Sequence, residues 1–151
     1  PKYKGGSPIQ NQIVNGIKKT KITAFEVSDK IDAGDICLKN NLDLNGTAIQ
    51  IFQKMEKKCV YMIKHLSRKK KIRFYKQKGK SSYFKRRKLK DSNIFSIKKP
   101  NISKIFNFIR MLDAPDYPKA YIDLKKYKIL LENAKITKNK ILIGEFKIAK
   151  K

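Results

Sequence analysis

The chain has 151 residues, 40% hydrophobic and 10% aromatic, with 38 Lys and Arg against 12 Asp and Glu for a net charge of +26. That is enough apolar material for one compact domain and too much for a disordered tail. No apolar run approaches the ~20 residues of a membrane-spanning helix, the single His65 removes any multi-histidine metal site, and Cys37 and Cys59 make neither a disulfide framework nor a zinc pattern.

The chain opens at Pro1 with no initiator Met and no signal-peptide pattern, so a fragment missing its beginning is expected. Lys4-Gly5-Gly6-Ser7-Pro8 reads as a loop. A short helix follows, with Ser7 as N-cap, Pro8 at its first position, Gly16 closing it, and Ile9 and Ile13 facing inward. Residues 21–28 alternate like a strand, with Ile22, Ala24 and either Phe25 or Val27 buried. An acidic turn comes next, Ser28-Asp29-Lys30-Ile31-Asp32-Ala33-Gly34-Asp35, and a second strand runs over 36–44.

Residues 47–68 form the clearest helix. Thr47 and Gln50 make a capping box, and Ala48, Phe52, Met55, Cys59, Met62 or Ile63, and Leu66 recur on one face. From Arg68 to Lys90 the chain is dense in Lys and Arg, with Phe74, Tyr75, Tyr83 and Phe84 interleaved. Such a stretch suits a phosphate backbone with stacking aromatics, or equally a connector whose aromatics pin it while its lysines stay in water. Only Arg68, Arg73, Arg86, Arg87 and Arg110 are arginines, and Lys, Ile and Asn are abundant together, as in A/T-rich coding. The charge therefore fits a solvated surface as well as a nucleic-acid surface. Asn101 caps a helix to about Asp113, with Ile102, Ile105, Phe106, Ile109 and Leu112 inward, ended by Pro115 and Pro118. The tail over 120–151 reads as two or three antiparallel strands.

Four segments carry a resemblance. Pro1-Lys2-Tyr3-Lys4-Gly5-Gly6-Ser7-Pro8-Ile9-Gln10 is similar to the loop after the active-site strand of folate-dependent formyltransferases. The acidic turn at 28–35 resembles that family's catalytic Asp loop, Phe84 to Ile94 its connector, and Ile109 to Tyr121 its Pro-Tyr-Pro segment. The resemblance implies an α/β fold: the C-terminal part of a Rossmann-like formyltransferase domain, followed by a small antiparallel β appendage. It divides the chain into 1–68 (half of the catalytic domain), 69–100 (basic connector) and 101–151 (helix and β subdomain). Lys4 stands where the family commonly has Arg, and Lys30 where it has a turn Gly, so a positive φ is either not needed at Lys30 or borne at a cost.

The implied activity is transfer of a formyl group from 10-formyltetrahydrofolate to an amine, without a metal. Of the family's Asn, His and Asp only the Asp is present, at Asp32, so this chain alone is expected to be inactive. Asp29 and Ile31 join Asp32 against the donor, although Asp29 and Asp35 also suit turn and capping positions. Tyr3, Lys4 and Gly5 border the acceptor, and Arg86 and Arg87 contact its phosphate. Roughly thirty residues after Pro118 are too few for the five-stranded barrel associated with methionyl-tRNA enzymes. The expectation therefore leans to an amino sugar on a nucleotide carrier, with initiator methionyl-tRNA as the alternative and a non-enzymatic basic RNA-binding module as a third reading. A cytoplasmic protein, a possible homodimer and no membrane partner complete the expectation.

Overall fold

In a computed structural model of the chain, residues 2–151 are described; Pro1, the first residue of the opening motif, lies outside them. The architecture is α/β with a C-terminal antiparallel sheet. A two-residue strand β1 (Lys4–Gly5) leads into α1 (Pro8–Val14), with Pro8 at its start as expected. Ser7 holds the N-cap place but does not cap: it is left-handed (φ 48), and its hydroxyl accepts the Arg87 N–H at 3.3 Å instead. Gly16 (φ 74) closes α1 with its N–H on the Ile13 carbonyl, while the Ile17 N–H reaches the Gln12 carbonyl. This pair of bonds satisfies the last orphan carbonyls of the helix.

β2 (Lys19–Phe25) and β3 (Ile36–Asp43) form an antiparallel pair registered from Lys19↔Asp43 to Ala24↔Leu38. The first strand begins earlier than its alternation suggests and stops at Phe25, because the Glu26 N–H bonds the Asp35 carbonyl at 2.9 Å and starts the acidic turn. Phe25 and Val27 therefore stay at the surface, 38% and 93% exposed, against the expectation that one of them is buried. α2 (Ala48–Ser67) carries the full Thr47–Gln50 capping box and lies on β3. Its buried face is Ala48, Ile51 and Met62; Ile63 points outward, and Cys59 is half-buried.

Beyond α2 the chain returns through β4 (Tyr83–Phe84) and two 3-10 turns to α3 (Ile102–Leu112). α3 packs between α1 on one side and the last sheet on the other, so its buried arc is wider than an amphipathic stripe. Phe108, Ile109, Arg110, Met111 and Leu112 are all buried, while Ile102 is exposed. The last sheet has the order β5 (Ala120–Asp123), β6 (Tyr127–Ile136), β7 (Leu142–Lys150), all antiparallel. One apolar core joins Ile13, Leu42, Leu44 and Ile51 to Phe108, Met111, Leu112 and Ala120. Arg110 is sealed into its edge, its guanidinium donating to the Leu44 and Gly46 carbonyls at 2.8 and 2.6 Å and its Nε to Asn107.

Candidate active site

The acidic turn bends back toward the opening loop through one residue. Asp32 adopts φ 55, a left-handed conformation that Asp enters more readily than most side chains. Lys30, expected from the resemblance to stand in place of a turn glycine, has no positive φ; the turn places that demand on Asp32 instead. The Asp32 Oδ2 accepts the Gly5 N–H at 3.0 Å, so the carboxylate meets the Tyr3-Lys4-Gly5 lip across 27 residues of sequence. Gly34 is needed for the same bend: a Cβ there would lie 1.7 Å from the Glu26 carbonyl oxygen.

The basic segment is fastened to both parts of this site by backbone bonds. Tyr75 exchanges N–H···O bonds with Ile36 at 2.8 and 2.9 Å. Further on, β4 pairs in parallel with β1, Lys4↔Tyr83 and Gly5↔Phe84, and Phe84 stacks on Tyr3 with centroids 5.6 Å apart. The Gly5-Gly6 pair serves this approach: a Cβ on Gly5 would lie 2.6 Å from the Phe84 oxygen, and one on Gly6 2.3 Å from the Arg86 Cα. Gln77 donates its side-chain amide to the Asp32 and Gly34 carbonyls at 2.9 and 2.7 Å. Sequence reading missed Gln77, since it carries no periodicity and its partners lie over forty residues away.

These contacts border a cleft of about 650 Å3 lined by Tyr3, Lys4, Gly5, Asp32 and Gln77 together with Ile22, Phe25, Ile36 and Met55. Lys78 and Lys80 also line it. Gln12, which also lines it, is 4% exposed, and its Oε1 has no hydrogen-bond partner among the described residues. Asp29 and Ile31 stand on the outer side of the turn, both exposed and outside the cleft lining.

Arg86 and Arg87 line a second cavity that shares Gly5, Pro8, Ile9 and Met55 with the first. Arg86 is exposed. Arg87 is half-buried: its guanidinium donates to the Asp91 carbonyl and lies 5.3 Å over the Phe108 ring, and burial lowers its pKa against the pull of Asp91. Among the described residues no cluster of His, Cys, Asp and Glu could hold a metal ion, and no helix is long and apolar enough to cross a membrane.

Residues 89–149 match the family model of the C-terminal domain of methionyl-tRNA formyltransferase. A methionyl-tRNA formyltransferase of Thermotoga neapolitana is 35% identical over 66 residues, 44% of this chain and 20% of that protein. The solved methionyl-tRNA formyltransferase of Clostridium thermocellum is 41% identical, with a TM-score of 0.91 over 100% of this chain and 65% of the other. An N-formyltransferase of Helicobacter canadensis, solved with folinic acid and dTDP-3-aminofucose, shares the fold at 20% identity and a TM-score of 0.53 over 86% of this chain and 58% of its own. The chain thus spans less than two thirds of the length of each of these proteins.

Proposed function

We propose that this chain is part of a formyltransferase and that it supplies the Asp32 side of an active site that formylates the amino group of initiator methionyl-tRNA, a reading its similarity to methionyl-tRNA formyltransferases supports. The observation that carries the chemistry is the bond from the Gly5 N–H to the Asp32 Oδ2. It holds the carboxylate among the residues lining the cleft and leaves Oδ1 to take the proton of an attacking amine, directly or through one water. The resemblance puts the Asn and His that complete the set upstream of Pro1. The cleft suits 10-formyltetrahydrofolate: Ile22, Phe25, Ile36 and Met55 offer apolar walls for a flat ring, and the unpartnered Gln12 oxygen can accept a ring N–H. When bound, that donor supplies the formyl group. A donor contact by Asp29 and Ile31 stays a proposal that the cleft does not support, since both are exposed and outside its lining.

Tyr3 and Lys4 border the acceptor in this reading, and the exposed Arg86 is better placed than the engaged Arg87 to meet an acceptor phosphate. Support for methionyl-tRNA comes from the relatives at 35% and 41% identity. The lean toward a nucleotide amino sugar rested on a tail too short for a barrel. A family model of the tRNA enzyme's C-terminal domain that matches residues 89–149, where the chain has three longer strands and no barrel, takes away that premise. Cytoplasmic placement belongs to the same proposal, with the free thiols Cys37 and Cys59 in its favour.

In the full-length enzyme, Asp32→Asn is expected to slow formylation by about 10²- to 10⁴-fold while methionyl-tRNA still binds. An unchanged rate would remove Asp32 from the chemistry. Affinity for the tRNA is expected to fall steeply between low and moderate salt, since neutralised phosphates release counterions. A preference for a nucleotide amino sugar over methionyl-tRNA would overturn the acceptor assignment.

A further inference from the structure

We infer that Gln77 is a positioning residue for Asp32, and that the basic segment acts through it as a strap holding the two halves of the site in register; the inference rests on the role proposed for Asp32. A carboxylate on a left-handed residue in a surface turn has no fixed direction unless the turn itself is fixed. Here the two amide hydrogens of Gln77 engage the carbonyls on either side of Ala33, at 2.9 and 2.7 Å. Those two bonds set the pitch of the turn, and the direction of the Asp32 side chain follows from it.

Gln77 is itself fixed from both ends. On one side Tyr75 is bonded twice to Ile36, and Lys76 pairs with Asp35 at 3.0 Å. On the other, the Ser82 carbonyl takes the Lys4 N–H at 3.0 Å, the Ser82 hydroxyl takes the Tyr3 N–H at 3.0 Å, and the Phe84 carbonyl takes the Gly6 N–H at 2.9 Å. The strap thus touches the turn at one end and the lip at the other, and the Asp32–Gly5 bond closes the loop between them. A planar amide with two donors fits the task, because two convergent carbonyls need two hydrogens from one rigid group.

The test uses the full-length enzyme. Gln77→Leu, similar in size and without donors, is expected to lower kcat about 10- to 100-fold, the loss that a misplacement on the order of 1 Å produces, with KM for methionyl-tRNA unchanged. In an Asp32→Asn background, followed in single turnovers, the same substitution is expected to add no further loss, because Gln77 acts only through that carboxylate. Gln77→Asn keeps the amide one methylene short and is expected to fall between wild type and Gln77→Leu.

Wild-type kcat in Gln77→Leu beside an inactive Asp32→Asn would overturn the positioning role and leave the Asp32 reading standing. Full activity in Asp32→Asn would sink both. Losses that multiply in the double variant would make Gln77 a general structural residue. Should Gln77→Leu fail to fold, wild-type kcat in Gln77→Asn decides against the inference.

Discussion

Asp32 holds a backbone conformation that costs an L-residue roughly 1–2 kcal/mol, and the surroundings that offset it are specific. Its carbonyl is bonded by Gln77, its carboxylate by Gly5, and two residues on Gly34 lets the chain pass beneath Glu26. The two small positions of this turn should therefore separate stability from chemistry. Gly34→Ala forces a methyl against the Glu26 carbonyl, where backbone and not a flexible side chain must give way. It is expected to destabilise the fold by about 1–3 kcal/mol, the usual range for overpacking, and to lower the melting temperature. Asn tolerates a positive φ about as well as Asp, so Asp32→Asn should melt close to wild type while losing activity. Equal melting temperatures for Gly34→Ala and wild type would show that the turn has another way to bend.

Elements differ in how far their causes reach along the chain. The α2 cap was legible because Thr47 and Gln50 are three residues apart, and each satisfies the other's orphan backbone group locally. Nothing local marks β1 or β4: two residues each, paired across 79 positions, they exist because Gly5 and Gly6 let another backbone come close. The Asp32 loop and the Tyr3-Lys4-Gly5 lip were legible as motifs, but the bond that joins them was not, since hydrogen-bond partners distant in sequence leave no periodic trace. The same blindness hid Phe108 and Met111, which lie off the α3 stripe and are buried because two neighbours cover the helix.

Arg110 is the clearest case at this scale. In the sequence it is one of five arginines and part of a motif, yet it couples α3 to the turn between β3 and α2 through the Leu44 and Gly46 carbonyls, with its Nε held by Asn107 of the same helix. Burial lowers its pKa, and the nearby Asp43 opposes that shift. Arg110→Met fills much of the same volume but leaves the Leu44 and Gly46 carbonyls without their donor. A loss of about 3 kcal/mol is expected from charge-assisted bonds of this kind, measured as a lower midpoint in urea at unchanged slope. A midpoint equal to wild type would mean that water replaces the guanidinium at no cost.

At the scale of the whole molecule, the sparse carboxylates matter out of proportion to their number. With a net charge of +26, the lysines repel one another, and each acid that remains ionised offsets part of that repulsion. Glu132, 8% exposed in the middle strand of the last sheet, is held by Lys147 and by Lys119 at 3.6 Å. The Lys147 hydrogen bond keeps its pKa below the ordinary 4.5, against the opposing effects of burial and Asp113. Asp43 is lowered from 3.8 chiefly by the hydrogen bond from Lys54.

For both groups the folded pKa lies below the unfolded one, so their contribution is complete above the unfolded value and is lost as pH falls through the folded value. The melting temperature should therefore be level from neutrality to about pH 5 and drop below about pH 4, where the unfolded chain binds more protons than the folded one. The drop should be steeper at low ionic strength, where the remaining positive charge is least screened. Glu132→Gln cannot titrate and should flatten the acid limb while lowering the plateau, because Lys147 and Lys119 lose their partner. Melting scans between pH 3 and pH 8, at two salt concentrations, would check this. An acid limb of equal steepness in Glu132→Gln would place the acid sensitivity in other carboxylates.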